Sequence, residues 1–144
     1  EGVVNQPWRV ILDPRGRLTG KEAVFGAGGQ TLHVVAGATP AKTDQLIVPY
    51  LDARLDLTVM LDELFRRGAI GLLVEGGAFT TGTFFDADLV DALEIYVAPK
   101  LFGEGKSWLV GTAPAAVDGA LRLKFTGANE LGEDLRLSYR RLEL

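Results

Sequence analysis

The sequence predicts an α/β fold with a mostly parallel central sheet flanked by helices and an antiparallel C-terminal edge. Three observations carry the prediction. Short β-prone runs alternate with helical patterns, the order that builds strand–helix–strand units. An apolar run at residues 70–74 ends in an acid and two glycines and leads into a helical stretch. The tail alternates apolar and polar residues in two blocks, as a hairpin with one buried face does.

Residues 1–7 read as a lead-in loop closed by Pro7, and residues 8–12 (Trp-Arg-Val-Ile-Leu) as a first strand. Asp13-Pro14-Arg15-Gly16-Arg17 has turn chemistry and two cations. Residues 18–30 are irregular and end in a Gly-x-Gly-Gly that precedes a strand instead of following one, the wrong order for a dinucleotide fingerprint. Residues 31–36 form a second strand containing His33, the single histidine, with no carboxylate near it in sequence to orient it. A loop at 37–44 leads to a short third strand at 45–49. Asp56 can cap a helix over 57–67, where Leu57, Met60, Leu61, Leu64 and Phe65 share one face and Gly68 is the stop.

Residues 70–74 (Ile-Gly-Leu-Leu-Val) then read as a buried strand ending at Glu75. Gly76 and Gly77 follow, and a second helix is predicted over 78–87 with Phe84 and Phe85 as core anchors and Asp86 and Asp88 in solvent. A strand, a glycine turn and a helix start make an anion site: first-turn amides point out of the helix end, and its dipole favours negative charge there. Residues 92–98 are a strand with Leu93, Ile95 and Val97 on one face. A loop over 100–111 carries Lys106 and Trp108. The hairpin pairs 121–126 with 135–140 across a loop at 127–133.

At 144 residues the chain is read as one domain. With 47% hydrophobic and 24% charged residues it has ordinary globular composition, so its core needs no staples. A net charge of −4 without basic clusters argues against nucleic acid and membrane surfaces. Zero cysteines and one histidine exclude thiolate and multi-histidine metal sites from these residues. The chain has neither a membrane-length apolar run nor a signal pattern, so a cytoplasmic protein is expected.

Four pieces resemble the reductase domain of the bacterial riboflavin-biosynthesis deaminase/reductase. They are residues 6–13, the Val74-Glu75-Gly76-Gly77 turn, Leu89-Val90-Asp91 followed by Ile95 through Gly103 (Ile-Tyr-Val-Ala-Pro-Lys-Leu-Phe-Gly), and the closing hairpin. The resemblance implies a dihydrofolate-reductase-like fold and NADPH-dependent reduction of the ribose of 5-amino-6-(5-phosphoribosylamino)uracil to a ribityl chain. It implies that Glu75 contacts substrate, and that Gly77, Ala78, Phe79, Thr80, Thr81, Gly82 and Thr83 lie along the cofactor's phosphates. Pro14 matches a position near the NADP 2′-phosphate, where members often carry a hydroxyl. Proline offers no donor, so Arg15 or Arg17 would supply the charge instead.

No residue is singled out as catalytic, and no metal is implied. The resemblance further implies that the fold's N-terminal strand, with its Ser-x-Asp-Gly type motif, and the fused zinc deaminase are not among these residues. The chain then corresponds to the C-terminal portion of a reductase domain, one that needs a homodimer partner or the remaining segment to be self-sufficient. Two other functions fit the same motifs: another NADPH-dependent reductase of this fold, and a nucleotide-binding or assembly module without catalysis.

Overall fold

The computed structural model describes residues 6–26, 28–114 and 116–142. The chain divides into two compact units, Glu1–Leu72 and Leu73–Leu144. The first unit is built on a parallel ladder of β1 (Arg9–Leu12), β2 (Thr31–Val35) and β3 (Asp44–Ile47), in the order β1-β2-β3. Arg9 pairs with Thr31 and Leu12 with Val34; Leu32 pairs with Asp44 and Val35 with Ile47. The central strand is the most buried, with Leu32, His33, Val34 and Val35 all covered, as befits a parallel strand packed on both faces.

A two-residue turn follows, between β4 (Tyr50–Leu51) and β5 (Arg54–Leu55). Asp52 and Ala53 in it both have positive φ, the twist that tight hairpins require. Helix α1 (Leu57–Arg66) starts where Asp56 accepts a hydrogen bond from the Val59 amide at 3.1 Å, as the sequence predicts. It buries Leu57, Met60 and Leu64. Phe65, expected on that face, is 70% exposed. At about 100° per residue it points roughly 105° away from the centre of the other three, outside their stripe. Arg67 closes the helix by bonding Glu63 at 2.9 Å and reaching Asp44 at 3.3 Å.

The predicted strand at residues 70–74 does not form. Ile70 is 96% exposed and Leu73 80%, and no strand among the described residues pairs with the run. An apolar run becomes a strand only when neighbours take its amides and carbonyls, and this one has none.

In the second unit, α2 (Ala78–Asp86) is followed by β6 (Ala92–Val97), β7 (Leu123–Leu131) and β8 (Asp134–Arg141). The three strands form an antiparallel sheet in the order β6-β8-β7. The tail hairpin is present, but its first strand begins at Leu123 and runs on to Leu131. A bulge between Phe125 and Gly127 absorbs a register shift, which lets pairing continue through what the sequence marks as loop. Gly132, at φ +66°, makes the tight turn. In β6, Leu93 and Ile95 are half-buried and alternate with exposed Ala92, Glu94 and Tyr96. No helix among the described residues is long and apolar enough to cross a membrane.

Candidate functional site

The glycine turn keeps the form that the sequence suggests, although the strand before it is missing. Gly77 is the N-cap of α2, with φ −68° and ψ 172° and no side-chain cap. The first bond of the helix runs from the Thr81 amide to the Gly77 carbonyl at 3.0 Å. The amides of Ala78, Phe79 and Thr80 therefore have no acceptor within the helix. No acid lies in the first turn. Glu75 is exposed, and no hydrogen bond or ion pair engages it among the described residues. It is not the cap of the helix that follows.

The two glycines differ in what they permit. A Cβ on Gly76 would lie 2.6 Å from the Thr80 Cβ, so only glycine lets the turn fold down on the helix. A Cβ on Gly77 would meet nothing within 4 Å. Gly77 thus leaves its backbone open to an approaching group.

The hydroxyls divide too. Thr81 points back to the Gly76 carbonyl at 3.4 Å, and Thr83 donates to the Phe79 carbonyl at 2.9 Å. Of the three, Thr80 has no partner among the described residues. Gly82 is buried, and a Cβ there would fall on the Val110 carbonyl. The loop lies so close because the Val110 amide bonds the Ala78 carbonyl at 3.0 Å and Asp86 accepts from the Thr112 amide at 2.8 Å. Gly82 therefore packs, and Asp86, exposed as expected, also anchors a loop. Beyond that clasp, Phe85, Leu93, Trp108, Leu121 and Tyr139 line a cavity of about 850 Å³.

The first unit holds the other candidates. Asp13 follows β1, and its carbonyl accepts from the Gly16 amide at 2.9 Å, closing a turn with Pro14 and Arg15 at its centre. Proline suits the second place of such a turn because its φ is preset. Its role here is the bend itself, and its carbonyl is taken by the Ala36 amide at 3.2 Å. Arg15 is exposed with no bonded partner among the described residues. Arg17 is engaged: its Nε lies 3.5 Å from Asp13 Oδ1.

Sequence reasoning missed what lies beneath this turn. His33 is fully buried, and its Nε2 lies 3.2 Å from Asp13 Oδ2. Its Nδ1 lies 3.3 Å from the Thr43 hydroxyl, and Phe25 meets the ring edge-on at 5.4 Å. The carboxylate is 20 residues away in sequence and is brought near by the pairing of β1 with β2. A polar residue flanked by apolar ones in a parallel strand was the available signal. Asp13 also accepts from the Leu18 amide at 2.8 Å. Burial works to raise its pKa, but the Leu18 amide, His33 and Arg17 outweigh that and hold the carboxyl below its ordinary value.

Residues 1–137 match the RibD C-terminal domain family. The riboflavin biosynthesis protein RibD of Actinobacillus pleuropneumoniae is 28% identical over 146 residues, covering 93% of this chain and 39% of its own length. The 5-amino-6-(5-phosphoribosylamino)uracil reductase of Buchnera aphidicola subsp. Acyrthosiphon pisum is 24% identical over 140 residues, covering 94% of this chain and 68% of its own length. A crystal structure of a deaminase/reductase from Thermotoga maritima matches with a TM-score of 0.78 at 24% identity, covering 94% of this chain and 38% of that one. The chain thus spans well under half the length of the first of these relatives. The fold is α/β and dihydrofolate-reductase-like, as the resemblance implied. With nearly its whole length matched, the chain belongs to the RibD C-terminal domain family.

Proposed function

We propose that the protein reduces the ribose of 5-amino-6-(5-phosphoribosylamino)uracil to the ribitylamino product with NADPH, and that this chain is the C-terminal portion of a single reductase domain. One observation carries the reading: in a chain of this family, Glu75 stands exposed and unpaired beside an uncapped helix start. A carboxylate left free at such a place is available to a ligand.

Each unit, taken by itself, holds groups suited to a part of a phosphorylated dinucleotide. Arg15 offers an unpaired guanidinium, whose fork matches a 2′-phosphate. The amides of Ala78, Phe79 and Thr80 and the Thr80 hydroxyl are donors without acceptors, suited to a diphosphate. Gly77 keeps the backbone clear, while Gly82, Thr81 and Thr83 hold the helix start in shape. Pro14 sets the bend that displays Arg15. Bound NADPH supplies the hydride. Glu75 accepts hydrogen bonds from the substrate's pyrimidine or ribose and orients it. The reading includes a cytoplasmic homodimer, with no nucleic acid, membrane or metal involved. Apolar exposure at Val97, Phe125 and Leu135 in the antiparallel sheet supports the dimer.

The test is NADPH oxidation by the intact protein, comparing the phosphoribosylamino-pyrimidine with dihydrofolate. Turnover of the first alone is expected. Turnover of dihydrofolate alone would point to another reductase of this fold, and NADPH binding without any turnover would point to a non-catalytic module. Gly77→Val, whose side chain enters open space, should fold normally and raise the NADPH dissociation constant about tenfold or more.

A further inference from the structure

We infer that Asp13 is a positioning residue for cofactor selection: held from behind by His33 and Thr43, it fixes the turn that presents Arg15, given the proposed role of Arg15 at the 2′-phosphate. The carboxylate reaches three groups. Oδ2 accepts from the Leu18 amide at 2.8 Å and from His33 Nε2 at 3.2 Å, and Oδ1 draws Arg17 to 3.5 Å. With the proton on Nε2, the imidazole donates to Asp13 while Nδ1 accepts from Thr43, so both ring nitrogens are satisfied.

A buried carboxylate–imidazole pair is a costly way to join two strands. Apolar side chains of the same volume would hold β1 to β2 without the desolvation. What the polar pair adds is direction. It ties the far end of the turn, at Leu18, to its near end, at Asp13. Gly16 in between has φ +58°, and a Cβ on it would lie 2.5 Å from the Thr39 methyl, so the turn is packed in one conformation. Asp13 also draws back Arg17, whose side chain is otherwise 74% exposed. Arg15 is left as the unpaired cation of the turn. The turn sits at the carboxyl end of two parallel strands, where open α/β sheets take ligands.

The experiment measures NADPH and NADH dissociation constants by calorimetry in the intact protein. Arg15→Gln should erase the preference for NADPH. Asp13→Asn should raise the NADPH dissociation constant about tenfold while that for NADH stays within about twofold. In the Arg15→Gln background, Asp13→Asn should add nothing, because the two act through one contact. If Arg15→Gln erases the preference but Asp13→Asn spares it, or weakens both cofactors equally, Asp13 only supports the fold and the inference is overturned. If Arg15→Gln leaves the preference intact, the reading of Arg15 fails first and the role of Asp13 falls with it. Should Asp13→Asn not fold, Thr43→Val removes the hydroxyl at constant volume. An NADPH-specific loss of about threefold is then required, and no change rejects the inference.

Discussion

Among the described residues Glu75, Arg15 and Thr80 are polar side chains without partners, and near Arg15 and Thr80 stand residues of the same type that do have one. Arg17 beside Arg15 is drawn to Asp13, and Thr81 and Thr83 beside Thr80 bond the backbone. That contrast separates groups kept for a ligand from groups that hold the protein together. Glu75→Gln keeps the shape and removes the charge. It should raise KM for the pyrimidine substrate about tenfold and leave the NADPH dissociation constant within about twofold, as read by steady-state kinetics and calorimetry. Equal loss of both would reject a substrate role. The turn at Asp13, Pro14 and Gly16 was legible from residue type alone, because proline and glycine dictate backbone angles locally. The Asp13–His33 contact was not, since its partners meet only after β1 has found β2. Which arginine is free was hidden for the same reason.

Helix α1 shows how far local pattern reaches: its cap, its stop and three of the five residues of its apolar face, Leu57, Met60 and Leu64, were legible, because each depends on residues within a turn or two. The run at 70–74 shows where pattern fails. Five apolar-rich residues satisfy any strand rule, yet a strand also needs partners that no local window contains. Helix α2 was legible in extent but not in the reason for Gly82, whose neighbour Val110 lies in a distant loop. Gly82→Val should therefore cost about 3 kcal/mol in urea unfolding, in contrast to the silent Gly77→Val.

The loop over residues 13–22 carries a pH signature. Glu22 bonds the Thr19 and Gly20 amides, and those bonds depress its pKa from the usual 4.5 to about 2. Asp13 is lowered as well. A depressed carboxyl stabilises the folded state above its unfolded pKa and loses that effect as pH falls through its folded pKa. Stability should thus be level above pH 4.5 and decline toward about 2. Glu22→Gln should flatten part of the decline when unfolding midpoints are followed against pH. A slope unchanged by the substitution would assign the loss to other carboxyls.

Burial is unevenly shared along the chain. The first unit buries Leu32, Val34, Val35, Leu46, Val48, Leu55, Leu57, Met60 and Leu64. In the second, Phe84 is the one large hydrophobic buried among the described residues. Apolar burial is the main source of cooperative stability, so the two units should differ in how often they open. Hydrogen exchange should find the β2 amides slowest and those of β6 and β7 faster by about an order of magnitude or more. Equal protection in both would show that the second unit draws stability from contacts beyond its own core.

The close fit of Gly76 against Thr80 has an evolutionary reading. The two positions are four apart on one turn, and position 76 can grow only if position 80 loses its Cβ. A selection that randomises both should recover alanine at position 76 only alongside glycine at position 80, and that pairing would give up the one free hydroxyl of the helix start. Drift at position 76 is therefore blocked by the side chain at position 80, while position 80 stays free to vary as long as glycine remains at 76.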